Sequence, residues 1–231
     1  MFAEISATYD RANSYLSMGV HRRWRKRTVR ESCVRPGDAV LDCATGTGDL
    51  ALEFKRTVGR DGRVVGTDFC MEMLALAPDK AKKAGLDISW EIQDAMALTY
   101  PDNSFDVASI AFGIRNVDDP VAALRSMGRV VRPDGLVLVL EFGRPLWWMR
   151  PFFSFYSRIV IPFVGGLISG QRDAYQYLTR TSAAFPTGAA FLELMDEAAV
   201  FASSRVVPLT GGIAYLYLGK VDRGAGTDIL T

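Results

Sequence analysis

Cysteine is scarce. There are three, Cys33, Cys43 and Cys70, at irregular spacing. That pattern makes neither a disulfide framework nor a zinc site, so idle or buried thiols in a reducing compartment are expected. An excess of one charge is also missing, with 27 Lys plus Arg against 26 Asp plus Glu. Wholesale nucleic-acid binding is therefore not expected. The opening stretch MFAEISATYDRANSYLSMG has no apolar core of the signal-peptide kind. Long apolar runs are lacking as well. The most apolar segment, 147–170, is broken by Arg150, Pro151, Arg158 and Pro162, which argues against a spanning helix. These absences point to a cytoplasmic protein that could still touch a membrane surface. Repeats and low-complexity tracts are absent too.

What is present is a core-forming composition, 49% hydrophobic over 231 residues, which suits one domain. Residues 9–33 read as two short helices, and the second carries the basic run HRRWRKR (21–27). An alternating series follows. The predicted strands are 39–43, 63–68, 88–93, 105–111 and 136–142. Helical patterns closed by Gly59 and Gly85 separate the first three, and DPVAALRSMGRVVRPDG reads as a helix with its exit turn. This β-α-β-α order predicts a mostly parallel sheet with helices on both faces. Residues 144–186 interrupt it with aromatic, proline-marked sequence. The pattern resumes with a helix over 188–201, a strand at SSRVVPL and a last strand at IAYLYLG.

The stretch VLDCATGTGDL (40–50) reads as strand, glycine turn and helix. Gly46 and Gly48 permit tight geometry and close approach of a ligand. Asp68 ends the next strand, where an acid can accept both hydroxyls of a ribose. Asp94 ends the third, and its carboxylate could accept from an adenine amino group while Ala95 offers an N–H. Asp42, Asp68 and Asp94 thus line the carboxyl edge of the sheet, where open parallel sheets bind ligands. The plainer reading is that all three form turns and caps. A nicotinamide dinucleotide remains an alternative, because GTGDLA meets its fingerprint with Ala51. Asp42 ahead of the loop would repel a diphosphate and suits a cationic cofactor better.

These stretches resemble the ubiquinone/menaquinone biosynthesis C-methyltransferases, a branch of the class I S-adenosylmethionine-dependent methyltransferases. The resemblance rests on YDRANSYLSMGVHRRWR (9–25), LDCATGTGD (41–49), GTDFCMEML (66–74), FDVASIAFGIRNVDD (105–119), EFGRP (141–145), YQYLTRTSAAFP (175–186) and LTGGIAYLYLGK (209–220). It implies a Rossmann-like α/β fold, a seven-stranded, mostly parallel sheet with a reversed last strand. The whole chain, 1–231, would be a single domain, with a helical N-terminal segment (1–35) and a helical cap (about 144–186). It implies S-adenosyl-L-methionine as cofactor, with contacts at Thr47, Asp68, Asp94 and Ala95 and near Ala111. Phe69-Cys70 stands where the family usually has Ile-Asn.

The resemblance implies methyl transfer to a ring carbon of a demethylated, prenylated quinol. Such chemistry needs alignment, a stabilised phenolate and removal of a ring proton. AFGIRNV (111–117) places Arg115 and Asn116 after the fourth strand. Arg115 would stabilise the phenolate, since arginine stays charged and is a poor base. Asn116 would donate to a quinol oxygen. The plainer reading pairs Arg115 with Asp118 or Asp119 and makes Asn116 a helix cap. His21, the only histidine, is a secondary candidate base, with a surface position as the plainer reading. Tyr9 and Tyr177 are candidates for the substrate pocket. The cap would hold an isoprenoid tail, with Arg144, Arg150 and Arg158 toward anionic headgroups. No metal is expected. A homodimer is left open, as is the choice between benzoquinol and naphthoquinol. A methyltransferase of another lipid or phenol, and a non-catalytic scaffold, are the competing functions.

Overall fold

The computed structural model describes residues 19–155 and 185–224. Seven strands form one sheet in the order β3-β2-β1-β4-β5-β7-β6. They are β1 Ala39–Cys43, β2 Arg63–Asp68, β3 Ser89–Ile92, β4 Phe105–Ala111, β5 Val131–Phe142, β6 Phe201–Leu209 and β7 Ala214–Val221. The first five pair in parallel, and β7 runs antiparallel to both β5 and β6. The expected reversed last strand is therefore present.

The central strands are apolar along their length because both faces are covered. On β5, Val137 and Val139 enter one core and Leu138 and Leu140 the other. One core is closed by the helix Pro120–Val130, through Ala123, Leu124 and Met127, and by Phe191 and Met195 of the helix Ala189–Glu197. The other is closed by Leu50, Ala51 and Phe54 of the helix Asp49–Val58 and by Trp24 of the helix Val20–Glu31. Asp119 caps the Pro120 helix by accepting from the Ala122 N–H at 2.9 Å, with proline at its first turn.

Three expectations need correction. The helix read through MEMLALAPDKAKKAG is two short ones, Met71–Leu74 and Ala77–Lys83. Pro78 is the cause: it lacks an N–H, and its ring would clash with the carbonyl four residues back. The helix expected over 188–201 ends at Glu197, and the strand after it starts at Phe201. β5 begins at Val131, ahead of the expected 136. The first of the two N-terminal helices and most of the cap lie outside the described residues. The short helix Arg150–Phe155 is the part of the cap region that is described.

Strand order reverses between β1 and β4, so their carboxyl ends flank a crevice. Both exits are in left-handed backbone without glycine, Ala44 at φ 46° and Phe112 at φ 58°. Such geometry is uncommon and is held only where the surroundings over-determine it. Several contacts do so here. A Cβ on Gly113 would come within 2.5 Å of the Ala44 Cβ, so the two exits pack directly on each other. The Phe112 N–H donates to Leu140 O at 2.7 Å, and its ring lies 4.5 Å from that of Phe142 and 6.2 Å from that of Trp24.

Candidate active site

The glycine loop follows β1. Gly48 has φ 84°, and a Cβ there would meet the Trp90 ring at 2.5 Å, so both backbone and space require glycine. Gly46 has φ 57°, and its Cβ position would meet only the Met73 methyl, at 3.5 Å. The loop's amides are used internally. Gly46 N–H donates to Asp68 Oδ2 at 2.7 Å, and Gly48 N–H to Thr45 O at 2.9 Å. A diphosphate would need those donors. A cofactor recognised through its ribose and an amino-acid end does not.

Asp68 ends β2, half-buried. Its Oδ1 accepts from Cys70 N–H at 2.8 Å and its Oδ2 from Gly46 N–H. An ionised carboxylate has about four acceptor sites. Two serve the loop here, which leaves capacity for two ribose hydroxyls. Burial pushes this carboxyl up, against the opposing N–H groups. Asp94 makes a tight turn, with Oδ1 accepting from Met96 N–H at 2.8 Å. Ala95 and Ala111 are partly buried, each packed on one of the two cores. Phe69, beside Asp68, exposes 80% of its surface, an apolar flank for a base.

Asp42 takes a role different from the expected one. It is buried, with Oδ1 accepting from Ser109 Oγ and Oδ2 from Thr45 Oγ1, both at 2.6 Å. It ties the glycine loop to β1 and β4 from beneath rather than facing a ligand. Burial pushes its carboxyl up to about 6, against the two hydroxyl donors. The folded state therefore binds this proton more tightly than the unfolded chain, whose ordinary value is 3.8. The sign follows: below that value Asp42 is protonated in both states, and stability is lost as pH rises through about 6. An Asp42→Asn variant should match the wild type near pH 3.5 and gain on it by about 3 kcal/mol at pH 7. Urea unfolding across that range measures the difference, and a constant gap would refute the assignment.

Thr47 is buried, and its Oγ1 accepts from Lys80 Nζ at 2.9 Å. Lys80 also pairs with Asp49, and Arg25 Nη1 reaches the same carboxylate at 2.6 Å. Burial alone would raise Asp49, but the Arg25 and Lys80 charges hold it below the ordinary carboxylate range. His21 belongs with this group. It is buried, and its electrostatic influence on Asp49 helps lower that carboxyl, so the surface position read for it is corrected. The helical spacing that places Trp24 in the core carries His21 inward as well.

Arg115 sits in a single 3-10 turn, Ile114–Asn116, just past β4. Its partner is neither Asp118 nor Asp119. Arg115 Nη1 donates to Glu141 Oε1 at 2.5 Å, and both side chains are almost fully buried. The guanidinium also lies 5.4 Å from the Phe142 ring. Asn116 is exposed and is not the cap of the next helix, which Asp119 provides. Glu141 was missed as a site residue. Its signal was an acid at the end of an apolar strand run, in EFGRP, and that was available. Tyr9 and Tyr177 lie outside the described residues.

An open sheet with this strand order, its antiparallel β7 and a glycine loop facing an acid at the end of β2 define a class I S-adenosylmethionine-dependent methyltransferase. Solved structures agree on the fold. A SAM-dependent methyltransferase of Thermotoga maritima matches with TM-score 0.66 and 18% identity, covering 95% of this chain and 97% of that one. One of Aquifex aeolicus matches with TM-score 0.60 and 19% identity, covering 85% and 89%. More specifically, residues 1–220 match the ubiE/COQ5 methyltransferase family, and the chain belongs to it. The ubiquinone/menaquinone biosynthesis C-methyltransferase UbiE of Bdellovibrio bacteriovorus is 55% identical over 96% of this chain and 94% of its own length. The UbiE of Teredinibacter turnerae is 41% identical over 95% and 89%. The chain is thus a methyltransferase, and S-adenosyl-L-methionine is its cofactor.

Proposed function

We propose that this protein methylates a ring carbon of a demethylated, prenylated quinol in menaquinone or ubiquinone biosynthesis. The observation that carries the reading is the buried Arg115 at the exit of β4, paired to Glu141. A permanent cation there suits a reaction that builds charge on a phenol oxygen.

Thr47, Asp68, Asp94, Ala95 and the backbone of Ala111 would hold the cofactor, with the Gly46–Gly48 turn allowing close approach. When bound, S-adenosyl-L-methionine supplies an electrophilic methyl group carried on a sulfonium. The chain's own residues do the rest. Arg115 steadies the phenolate and Asn116 donates to a quinol oxygen. His21 acts in this reading through Asp49, as support for the glycine loop, and not as the base.

Among the described residues no helix is long and apolar enough to cross a membrane. Trp147 and Phe152 expose 78% and 70% of their surface next to Arg150. Aromatic and cationic side chains together suit the interface of an anionic bilayer. The proposal therefore includes peripheral contact with the cytoplasmic membrane face. Flotation with anionic liposomes tests it, and loss of binding in Trp147→Ser/Phe152→Ser is the expected result.

The functional test is transfer of labelled methyl to chemically reduced demethylmenaquinol and, separately, to the demethylated benzoquinol. Product on either one supports the reading and names the ring. Cofactor binding with no product on both would move the assignment to another acceptor or to a scaffold role.

A further inference from the structure

The Arg115–Glu141 pair carries an acceptor and a donor that nothing among the described residues satisfies. Glu141 Oε1 accepts from Arg115 Nη1 at 2.5 Å and from the Phe142 N–H at 2.8 Å. Glu141 Oε2 is buried without a hydrogen-bond partner among the described residues, and so is Arg115 Nε. The two side chains keep only 2% and 3% of their surface exposed. Folded proteins leave few such atoms, because an unpaired buried polar group is costly. A donor and an acceptor on one ion pair together match a group that both accepts and donates, namely a hydroxyl. The pair also stands at the carboxyl edge of the sheet, where open parallel sheets bind ligands. Arg115 follows β4, one wall of the crevice, and Glu141 lies near the carboxyl end of the neighbouring β5.

We propose that Glu141 is the proton acceptor of the reaction, taking the phenolic proton of the quinol on Oε2 while Arg115 transfers its pairing from the carboxylate to the phenolate. The proposal rests on the quinol reading above. In the step, the ring O–H bond breaks and leaves its electron pair on oxygen, and an H–Oε2 bond forms. One anion faces the guanidinium before the step and one after it, so no additional charge is buried. The electron-rich ring carbon then bonds to the methyl group as the methyl–sulfur bond of the sulfonium breaks, its electron pair staying on sulfur as a neutral thioether. That carbon loses its ring proton, the oxygen regains the proton from Glu141, and one proton leaves per turnover.

Among the described residues, three groups face Glu141. They are Arg115 from the turn after β4, and Tyr215 and Tyr217 from β7. Burial pushes the Tyr217 hydroxyl up, so it stays protonated and does not compete as a base. Burial also pushes the Glu141 carboxyl up, against the Arg115 charge and the Phe142 and Arg115 backbone N–H groups. This narrows the gap to a phenol, whose ordinary value is about 10, and favours transfer.

The test compares Glu141→Gln and Glu141→Asp with the wild type on the demethylated quinol that the wild type accepts. A second quinol bears an electron-withdrawing substituent that makes its phenol more acidic. Glu141→Gln should lower kcat by about 10²- to 10⁴-fold with cofactor affinity unchanged. Its deficit should shrink on the acidic quinol, and its kcat should keep rising with pH where the wild type levels off. Glu141→Asp should recover part of the rate. A Gln variant near wild-type kcat, or one equally impaired on both quinols, would overturn the proposal and leave Glu141 as a support for Arg115. Should the Gln variant fail to fold by thermal unfolding, the wild-type pH profile decides. An acid limb common to both quinols belongs to Glu141, and one that tracks phenol acidity overturns the proposal. No product from either quinol with the wild type would instead defeat the quinol reading itself, and the proposal with it.

Discussion

Arg115→Ala is expected to lower kcat by about 10²- to 10³-fold and to destabilise the fold by about 3–5 kcal/mol. The two effects have one origin. Arg115 and Glu141 are both buried, and their contact at 2.5 Å compensates the loss of hydration. Removing the cation strands a carboxylate in the core, and that orphaned charge is the main source of the instability. Glu141 would respond by holding its proton more tightly, so the deficit should depend on pH. Its folded value, already raised, moves further above the ordinary 4.5. The folded variant then binds a proton that the unfolded chain releases, and stability falls as pH rises above that ordinary value. Urea unfolding at pH 5 and pH 8 should show the larger deficit at pH 8. The double variant Arg115→Ala/Glu141→Gln should recover most of the stability and none of the activity. Equal stability of Arg115→Ala and wild type at both pH values would mean that the pair is not buried in solution. Arg115→Lys should retain part of the stability but little of the rate, since a lysine lacks the planar fork that can face two oxygens.

Asp68→Ala should weaken S-adenosylmethionine binding by about 100-fold. Two hydrogen bonds from ribose hydroxyls to a carboxylate are worth about 3 kcal/mol together, and each 1.4 kcal/mol is about tenfold in Kd. The same substitution removes the acceptor for the Gly46 and Cys70 N–H groups, so the loop loses its anchor to β2. A modest fall in melting temperature without ligand should accompany the loss of affinity. Asp68→Asn separates the two roles. Its amide oxygen still accepts from one N–H, so the loop should hold better than in the alanine variant while affinity remains reduced. Calorimetric titration reads the affinity, and thermal unfolding reads the loop. Unchanged affinity in Asp68→Ala would make Asp68 a turn former only.

Much of the fold was legible in local sequence. Strands β1, β2 and β4 begin and end where their apolar runs do, because a glycine, a turn residue or an acid ends each run. The alternation of helix and strand implied a parallel sheet, since a parallel pair needs a crossover. The reversed last strand and the count of seven came from resemblance, as periodicity carries no strand order. Pro78 splits a helix that composition alone would continue.

The site divides the same way. By itself the sequence determined the glycine turn, the acids at the ends of β1, β2 and β3 and the Arg-Asn pair after β4. Each is a local feature, set by turn chemistry within a few residues. Which of these atoms meet was decided only by tertiary structure. Arg115 has acids three and four residues on, yet its partner is 26 residues away. Parallel pairing of β4 with β5, Ala111 against Leu140, brings the two strand ends together, and the buried Glu141 takes the arginine in place of the exposed Asp118 and Asp119. Asp42 turned beneath the loop and His21 turned into the core for a related reason. Sequence spacing fixes which face of an element a side chain takes, but packing decides whether that face meets solvent, a ligand or another element.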